Sequence, residues 1–238
     1  MSLPNPEPGD ALFLDFDGTL VDIAPKPHQV EVTASLRVLL ERLQRRLDGA
    51  LAIVSGRPIA DLDQQLLPLQ TAAAGEHGAQ IRHRPGDAID GHTELPAPVV
   101  AAMDRLEREL PDVLIERKGA SVSVHYRAVP ARQADVEQCM QQIVADWPDY
   151  ELLHGKMVVE LKPGAVDKGR AIRSLAAQPP FSGRRPVFIG DDTTDEAGFR
   201  AVNQLGGVSI RVGHGPDSAA LHHLTDVAAV HAWLGQLQ

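Results

Sequence analysis

Two carboxylates one residue apart close an apolar run near the start of the chain, Ala11-Leu12-Phe13-Leu14-Asp15-Phe16-Asp17-Gly18-Thr19-Leu20. Side chains alternate along a strand, so Asp15 and Asp17 are expected to point the same way where the strand gives out into a loop. Two such charges about 4 Å apart repel by about 4 kcal/mol at the effective dielectric of a protein surface. The pair therefore calls for a cation, a shared proton or wide exposure to water. Three more acids, Asp191, Asp192 and Asp195, follow a second apolar run, Pro186-Val187-Phe188-Ile189-Gly190. If the two runs are neighbouring strands, these acids crowd one rim and make the oxygen-rich site that a hard divalent cation selects. Ser55, at the end of Ala50-Leu51-Ala52-Ile53-Val54, offers a hydroxyl and an N–H to a phosphate oxygen. Lys168 stands at a predicted helix start, where an ammonium opposes the helix dipole, so its place calls for an anion such as a phosphoryl group in transfer. Plainer readings stand beside these: an acidic turn for Asp15 to Gly18, helix N-caps for Ser55 and for Asp191 and Asp192, a solvated lysine for Lys168.

The elements that must position these residues follow a strand–helix alternation. After the first strand, Leu36, Leu39, Leu40 and Leu43 share the face of a helix expected from Thr33 to near Gly49. A buried strand over 50–54, a helix to about Leu67 and a small strand over 71–74 come next. Such alternation predicts parallel strands joined by right-handed crossovers, with ligands outside their carboxyl ends. The pattern changes at Arg82-His83-Arg84-Pro85-Gly86-Asp87. From there to about Leu161, two helices and the strands 113–116, 121–127, 151–154 and 157–161 suggest an α+β insert with a largely antiparallel sheet. After Lys162-Pro163-Gly164 the first rhythm resumes with a helix from Lys168, a strand over 186–190, a short helix, a strand over 208–212 and a closing helix. The expected fold is thus α/β: a doubly wound, mostly parallel sheet over 9–82 and 163–238, with an α+β domain inserted over 84–160.

A net charge of −9 on 238 residues argues against nucleic acid or an anionic membrane as partner, since both need a basic field. Among ten histidines there is no His-Glu-x-x-His spacing, and a lone cysteine, Cys139, excludes an internal disulfide. Cys139 shares a helical face with Val136, Met140, Ile143 and Val144 and is expected to be a buried thiol. No stretch approaches about 18 uninterrupted apolar residues, and the first residues lack a basic region followed by an apolar run. A cytoplasmic protein is expected.

Taken together, the motifs resemble those of the haloacid dehalogenase superfamily: Asp15-Phe16-Asp17-Gly18-Thr19, then Ser55, Lys168 and Gly190-Asp191-Asp192-x-x-Asp195, in that family's order. The resemblance implies that Asp15 is a nucleophile forming an aspartyl-phosphate and Asp17 a general acid and base. It also implies Mg²⁺ held by Asp15, the Asp17 carbonyl and Asp191, with Thr19, Asp192 and Asp195 supporting and Ser55 and Lys168 neutralising the phosphoryl group. The insert resembles the type C2 cap. Ser55-Gly56-Arg57, Gly75-Glu76-His77-Gly78, Arg117-Lys118, His125-Tyr126-Arg127 and Gly155-Lys156-x-x-x-Glu160 further resemble trehalose-6-phosphate phosphatases. That resemblance implies a phosphosugar substrate, with Arg57, Glu76, Arg117, Lys118, His125, Arg127, Lys156 and Glu160 expected to bind it. Lys156 with Glu160, and His125 with Arg127, are expected to share strand faces. A related phosphosugar of sucrose or mannosylglycerate type is the alternative substrate, and a non-catalytic regulator of a sugar-phosphate synthase the alternative class. A trehalose-phosphate synthase is the expected protein partner, and the chain is expected to be monomeric.

Overall fold

Five consecutive buried residues, Asp10–Leu14, form the first strand (β1), with no polar face because both sides of the sheet are covered. In the computed structural model, which describes residues 3–24, 29–91, 94–164, 166–213, 215 and 217–237, the chain divides into two units. One comprises Met1–Asp90 with Asp167–Gln238, the other Gly91–Val166. After β1, helix α1 (Ala34–Arg46) starts where the Thr33 hydroxyl accepts the Leu36 N–H and buries Leu36, Leu40 and Leu43. Strand β2 (Leu51–Val54), helix α2 (Ile59–Leu66) and strand β3 (Ala72–Gly75) follow, then the short β4 (Gln80–Arg82) and β5 (Asp90–Gly91).

In the second unit, helix α3 (Ala97–Glu109), strands β6 (Leu114–Arg117) and β7 (Val122–His125), helix α4 (Gln133–Ala145) and strands β8 (Tyr150–Gly155) and β9 (Val158–Pro163) succeed one another. Their antiparallel sheet has the order β6-β7-β9-β8. Val99, Met103 and Leu106 of α3 and Val136 and Met140 of α4 pack with Val122, Val124, Val159 and Leu161. Cys139 is half-buried rather than buried, because the face of α4 that meets this core is centred on Val136 and Met140.

The first unit resumes with α5 (Lys168–Ala176), β10 (Arg185–Gly190), α6 (Glu196–Gln204), β11 (Val208–Val212), β12 (His222–Leu224) and α7 (Val227–Leu234). Its sheet has the order β12-β11-β10-β1-β2-β3-β4-β5. The strands from β12 to β3 pair in parallel, and β4 runs antiparallel to β3. All five phenylalanines are buried in this unit's core; Phe13 stacks on Phe181 with centroids 5.2 Å apart and Phe188 meets Phe199 at 5.3 Å. No helix among the described residues is long and apolar enough to cross a membrane.

Candidate active site

Register decides what meets at the carboxyl edge. Leu14 lies opposite Ile189 of β10 and Ile53 of β2, so Asp15, Gly190 and Val54 are the next residues along three adjacent strands. Asp15 and Asp191 therefore emerge side by side, and one oxygen each from Asp15, Asp191 and Asp195 fall within 4.8 Å of one another. Gly18, which has φ +81°, lets the loop after β1 lie flat on this group. A Cβ built there would stand 2.2 Å from Asp191 Oδ2, so neither the backbone angle nor the space admits a side chain.

Lys168 closes the group from one side. Its Nζ donates to Asp15 Oδ1 and to Asp195 Oδ1, both at 2.7 Å, and the residue is 3% exposed. The helix start is supported by Asp167, whose carboxylate accepts the Arg170 N–H at 2.8 Å. The next residue, Gly169, brings α5 against α6: a Cβ there would sit 2.4 Å from the carbonyl oxygen of Ala197. Asp195 Oδ2 accepts the N–H groups of Asp191 at 2.9 Å and Asp192 at 3.0 Å, while Asp192 caps the turn through the Thr194 N–H at 2.6 Å. Thr19 donates to Asp15 Oδ2 at 3.3 Å. The two readings of the second acidic run thus coexist: Asp192 is an N-cap, and Asp191 faces Asp15.

Three carboxylates against one ammonium leave excess negative charge in a place with little water. Burial, then repulsion from Asp195 and Asp191, holds the Asp15 carboxyl well above the usual range against the pull of Lys168. Burial, then Asp195 and Asp192, pushes Asp191 up to about 6, and burial raises Asp195 as well. Lys168 is costly to bury, but Asp15 and Asp195 hold its proton more tightly than usual. Hard oxygen donors that resist ionisation for want of a counter-charge are what a small divalent cation satisfies, so the donor set fits one.

The Asp17 side chain does not join this group. It accepts from Arg57 through both oxygens, Nε to Oδ2 at 2.6 Å and Nη2 to Oδ1 at 2.7 Å. The same guanidinium donates to Asp61 at 2.7 Å and lies 5.4 Å from the centre of the Phe16 ring. Burial disfavours the charge of Arg57, but its bonds to Asp17 and Asp61 more than offset that and raise its pKa. Ser55, 2% exposed, accepts the Arg57 N–H at 3.2 Å. A second turn clasps this one: the Glu76 N–H donates to the Arg57 carbonyl and the His77 N–H to that of Ser55. Glu76 and His77 hold φ values of 47° and 57°, conformations that non-glycine residues keep only where surroundings impose them. Glu76 is 0% exposed and accepts from Gln80 at 2.6 Å, while Gln80 in turn caps the Ile59 N–H of α2. Glu76, which the resemblance implies to bind substrate, is thus buried with its carboxylate turned to Gln80.

In the second unit, Glu160 is 7% exposed and accepts from Lys118 at 2.9 Å and Ser123 at 2.8 Å. His125 Nε2 lies 3.0 Å from Glu116 Oε2 on the adjacent strand. Arg117 faces helix α3 and donates to Asp104 at 2.7 Å and Glu107 at 2.8 Å. Two expected pairings do not form as strand faces. Lys156 occupies the exposed turn between β8 and β9 beside Met157, whose φ is 64°, so it does not share a strand with Glu160. Arg127 lies beyond the end of β7, exposed in a turn, so it does not alternate with His125. Asp61, Gln80, Glu116 and Ser123 were not anticipated. The i,i+4 spacing of Arg57 and Asp61 was the available signal for the first, while the others need the sheet register.

The α/β sheet with acids after β1 and β10, a hydroxyl after β2 and a lysine at the start of α5 is that of a phosphatase, as the similarities that follow bear out. Residues 13–226 match the family described as trehalose-phosphatase, and the chain belongs to that family. It is 45% identical over 236 residues to a probable trehalose-phosphate phosphatase of Sinorhizobium fredii, covering 95% of this chain and 87% of that one. It is 39% identical over 235 residues to a trehalose-6-phosphate phosphatase of Escherichia coli, covering 94% and 85%. A solved trehalose-6-phosphate phosphatase related protein superposes with a TM-score of 0.76 at 29% identity, covering 94% of this chain and 95% of that one.

Proposed function

We propose that this chain is a Mg²⁺-dependent phosphatase that converts trehalose 6-phosphate to trehalose and phosphate. The reading is carried by one observation: Asp15 lies against both Lys168 and the Asp191–Asp195 group, in a chain 45% and 39% identical to proteins named for that reaction. In this reading Asp15 attacks phosphorus and takes the phosphoryl group, which splits one difficult displacement into two easier ones. Asp17 protonates the departing sugar oxygen and later takes a proton from the hydrolytic water. Lys168 and the Ser55 hydroxyl hold the transferring oxygens and offset their charge. Asp15, Asp191 and the Asp17 carbonyl would hold the cation, which when bound supplies charge neutralisation at the phosphate. Thr19, Asp192 and Asp195 orient these groups.

The second unit, Gly91–Val166, is proposed to be the cap of type C2 that the sequence bounds at about 84–160, and to recognise the sugar. Lys118 and Glu160 form its largely buried donor–acceptor pair and the partly exposed His125 pairs with Glu116, with Lys156 and Arg127 at exposed turns and Arg117 braced by α3. Steady-state turnover on a panel of phosphosugars tests the reading. Trehalose 6-phosphate should lead by about tenfold or more in kcat/KM, Asp15→Asn should abolish release, and excess EDTA should stop it until Mg²⁺ is restored. Preference for another phosphosugar by that margin would overturn the substrate assignment.

A further inference from the structure

We propose that Arg57 is the positioning residue of Asp17: it holds the Asp17 carboxylate in one plane and direction for its proton transfers, and does not itself bind the phosphosugar. This rests on the reading of Asp17 as general acid and base.

Asp17 sits on a loop with its side chain 35% exposed, so an unaided carboxylate there would sample several solvated rotamers. The Arg57 fork removes that freedom with two parallel bonds of 2.6 and 2.7 Å, a geometry that fixes orientation as well as distance. The guanidinium is itself fixed. Asp61 takes Nη1 at 2.7 Å, the Phe16 ring lies 5.4 Å away, and the side chain is 9% exposed. Its backbone is equally held, by the Ser55 hydroxyl at the N–H and by the Glu76 N–H at the carbonyl. Both Asp17 and Phe16 come from the loop after β1, and Asp61 from α2, so Arg57 ties these two segments together at this carboxylate. All three guanidinium nitrogens donate to carboxylates, and two acids meet one positive charge, which is the reverse of what phosphate binding requires.

A double-mutant cycle decides the matter. Arg57→Ala should lower kcat/KM for trehalose 6-phosphate by about 30-fold or more, a large part of the about 10²-fold at least that one general acid contributes. In an Asp17→Asn background the same substitution should cost less than about threefold, because its target is gone. Losses that multiply would overturn the proposal, since Arg57 would then act on substrate directly. Asp61→Asn, which loosens Arg57 without removing its charge, should cause a smaller loss that likewise disappears in Asp17→Asn. If Arg57→Ala fails to fold, this second cycle decides. A loss by Asp61→Asn that persists in the Asp17→Asn background, or no loss at all, overturns the proposal. Asp17→Asn running at the wild-type rate would instead overturn the role of Asp17, and this inference with it.

Discussion

Lys168 Nζ lies 2.7 Å from Asp15 Oδ1, an ion pair whose two side chains are 3% and 6% exposed. Breaking such a pair by removing one partner leaves the other charge buried and uncompensated. Lys168→Met should therefore destabilise the protein by about 3–5 kcal/mol at neutral pH, read by urea unfolding. Phosphate release should be lost with it. The stability defect should shrink in acid, where Asp15 and Asp195, already held above the usual carboxylate range, take up protons. A defect that does not change with pH would mean that charge compensation is not the cause.

Asp191 contributes to the pH dependence expected of the proposed cation site. Burial, then Asp195 and Asp192, pushes its carboxyl up to about 6 in the folded chain, against about 3.9 for an unfolded aspartate. Between those values the folded state holds a proton that the unfolded state has released, so the metal-free protein loses stability as pH rises through that window. Bound Mg²⁺ needs the carboxylate form and should remove the penalty. The rise in Tm on adding Mg²⁺ should thus be larger near about pH 7 than near about pH 5. An equal rise at both would separate Asp191 from the cation.

Gly18→Ala tests the close approach at the same place. The new Cβ would stand 2.2 Å from Asp191 Oδ2 in a backbone held at φ +81°. Strain of this kind costs about 1–3 kcal/mol, and Asp191 must turn away to relieve the overlap. Calorimetric Mg²⁺ affinity should fall by about tenfold or more. Unchanged affinity would show that Asp191 is not a ligand.

Glu160→Gln keeps the shape of the side chain but removes the charge that Lys118 and Ser123 address at 2.9 and 2.8 Å. If Glu160 accepts from sugar hydroxyls, KM should rise by about tenfold, the worth of a hydrogen bond to a charged group, with kcat nearly unchanged. A fall in kcat alone would count against a role in binding.

The placing of Asp15 and Asp191 just past two strand ends was legible because β1 and β10 are largely apolar runs followed by acids, the usual form of buried parallel strands. Strand β12, His222–Leu224, was not legible: His-His-Leu carries neither an apolar run nor an alternation. Nor was β4, whose three residues follow a turn made by positive φ at two non-glycine positions. The pairing of Arg57 with Asp17 depends on β1 and β2 being neighbours in a particular register, and forty residues separate the two in sequence. Lys156 and Glu160 were placed on one strand because nothing in Gly155-Lys156-Met157 announces that Met157 takes the left-handed conformation. Cys139 was assigned to the helix core from spacing alone, which cannot say where on a broad apolar face the packing is centred.

Gly169 has no reactive atom, yet the distance between the Lys168 ammonium and Asp195 depends on it. Only hydrogen separates its Cα from the Ala197 carbonyl, so the helix carrying Lys168 and the helix following Asp195 stand as close as two backbones can. Any larger residue must prise them apart, and the lysine would then be drawn off its partners by as much as the wedge is thick. The site's electrostatic tolerance is in that sense a matter of one missing methyl group, at a position with no chemistry of its own.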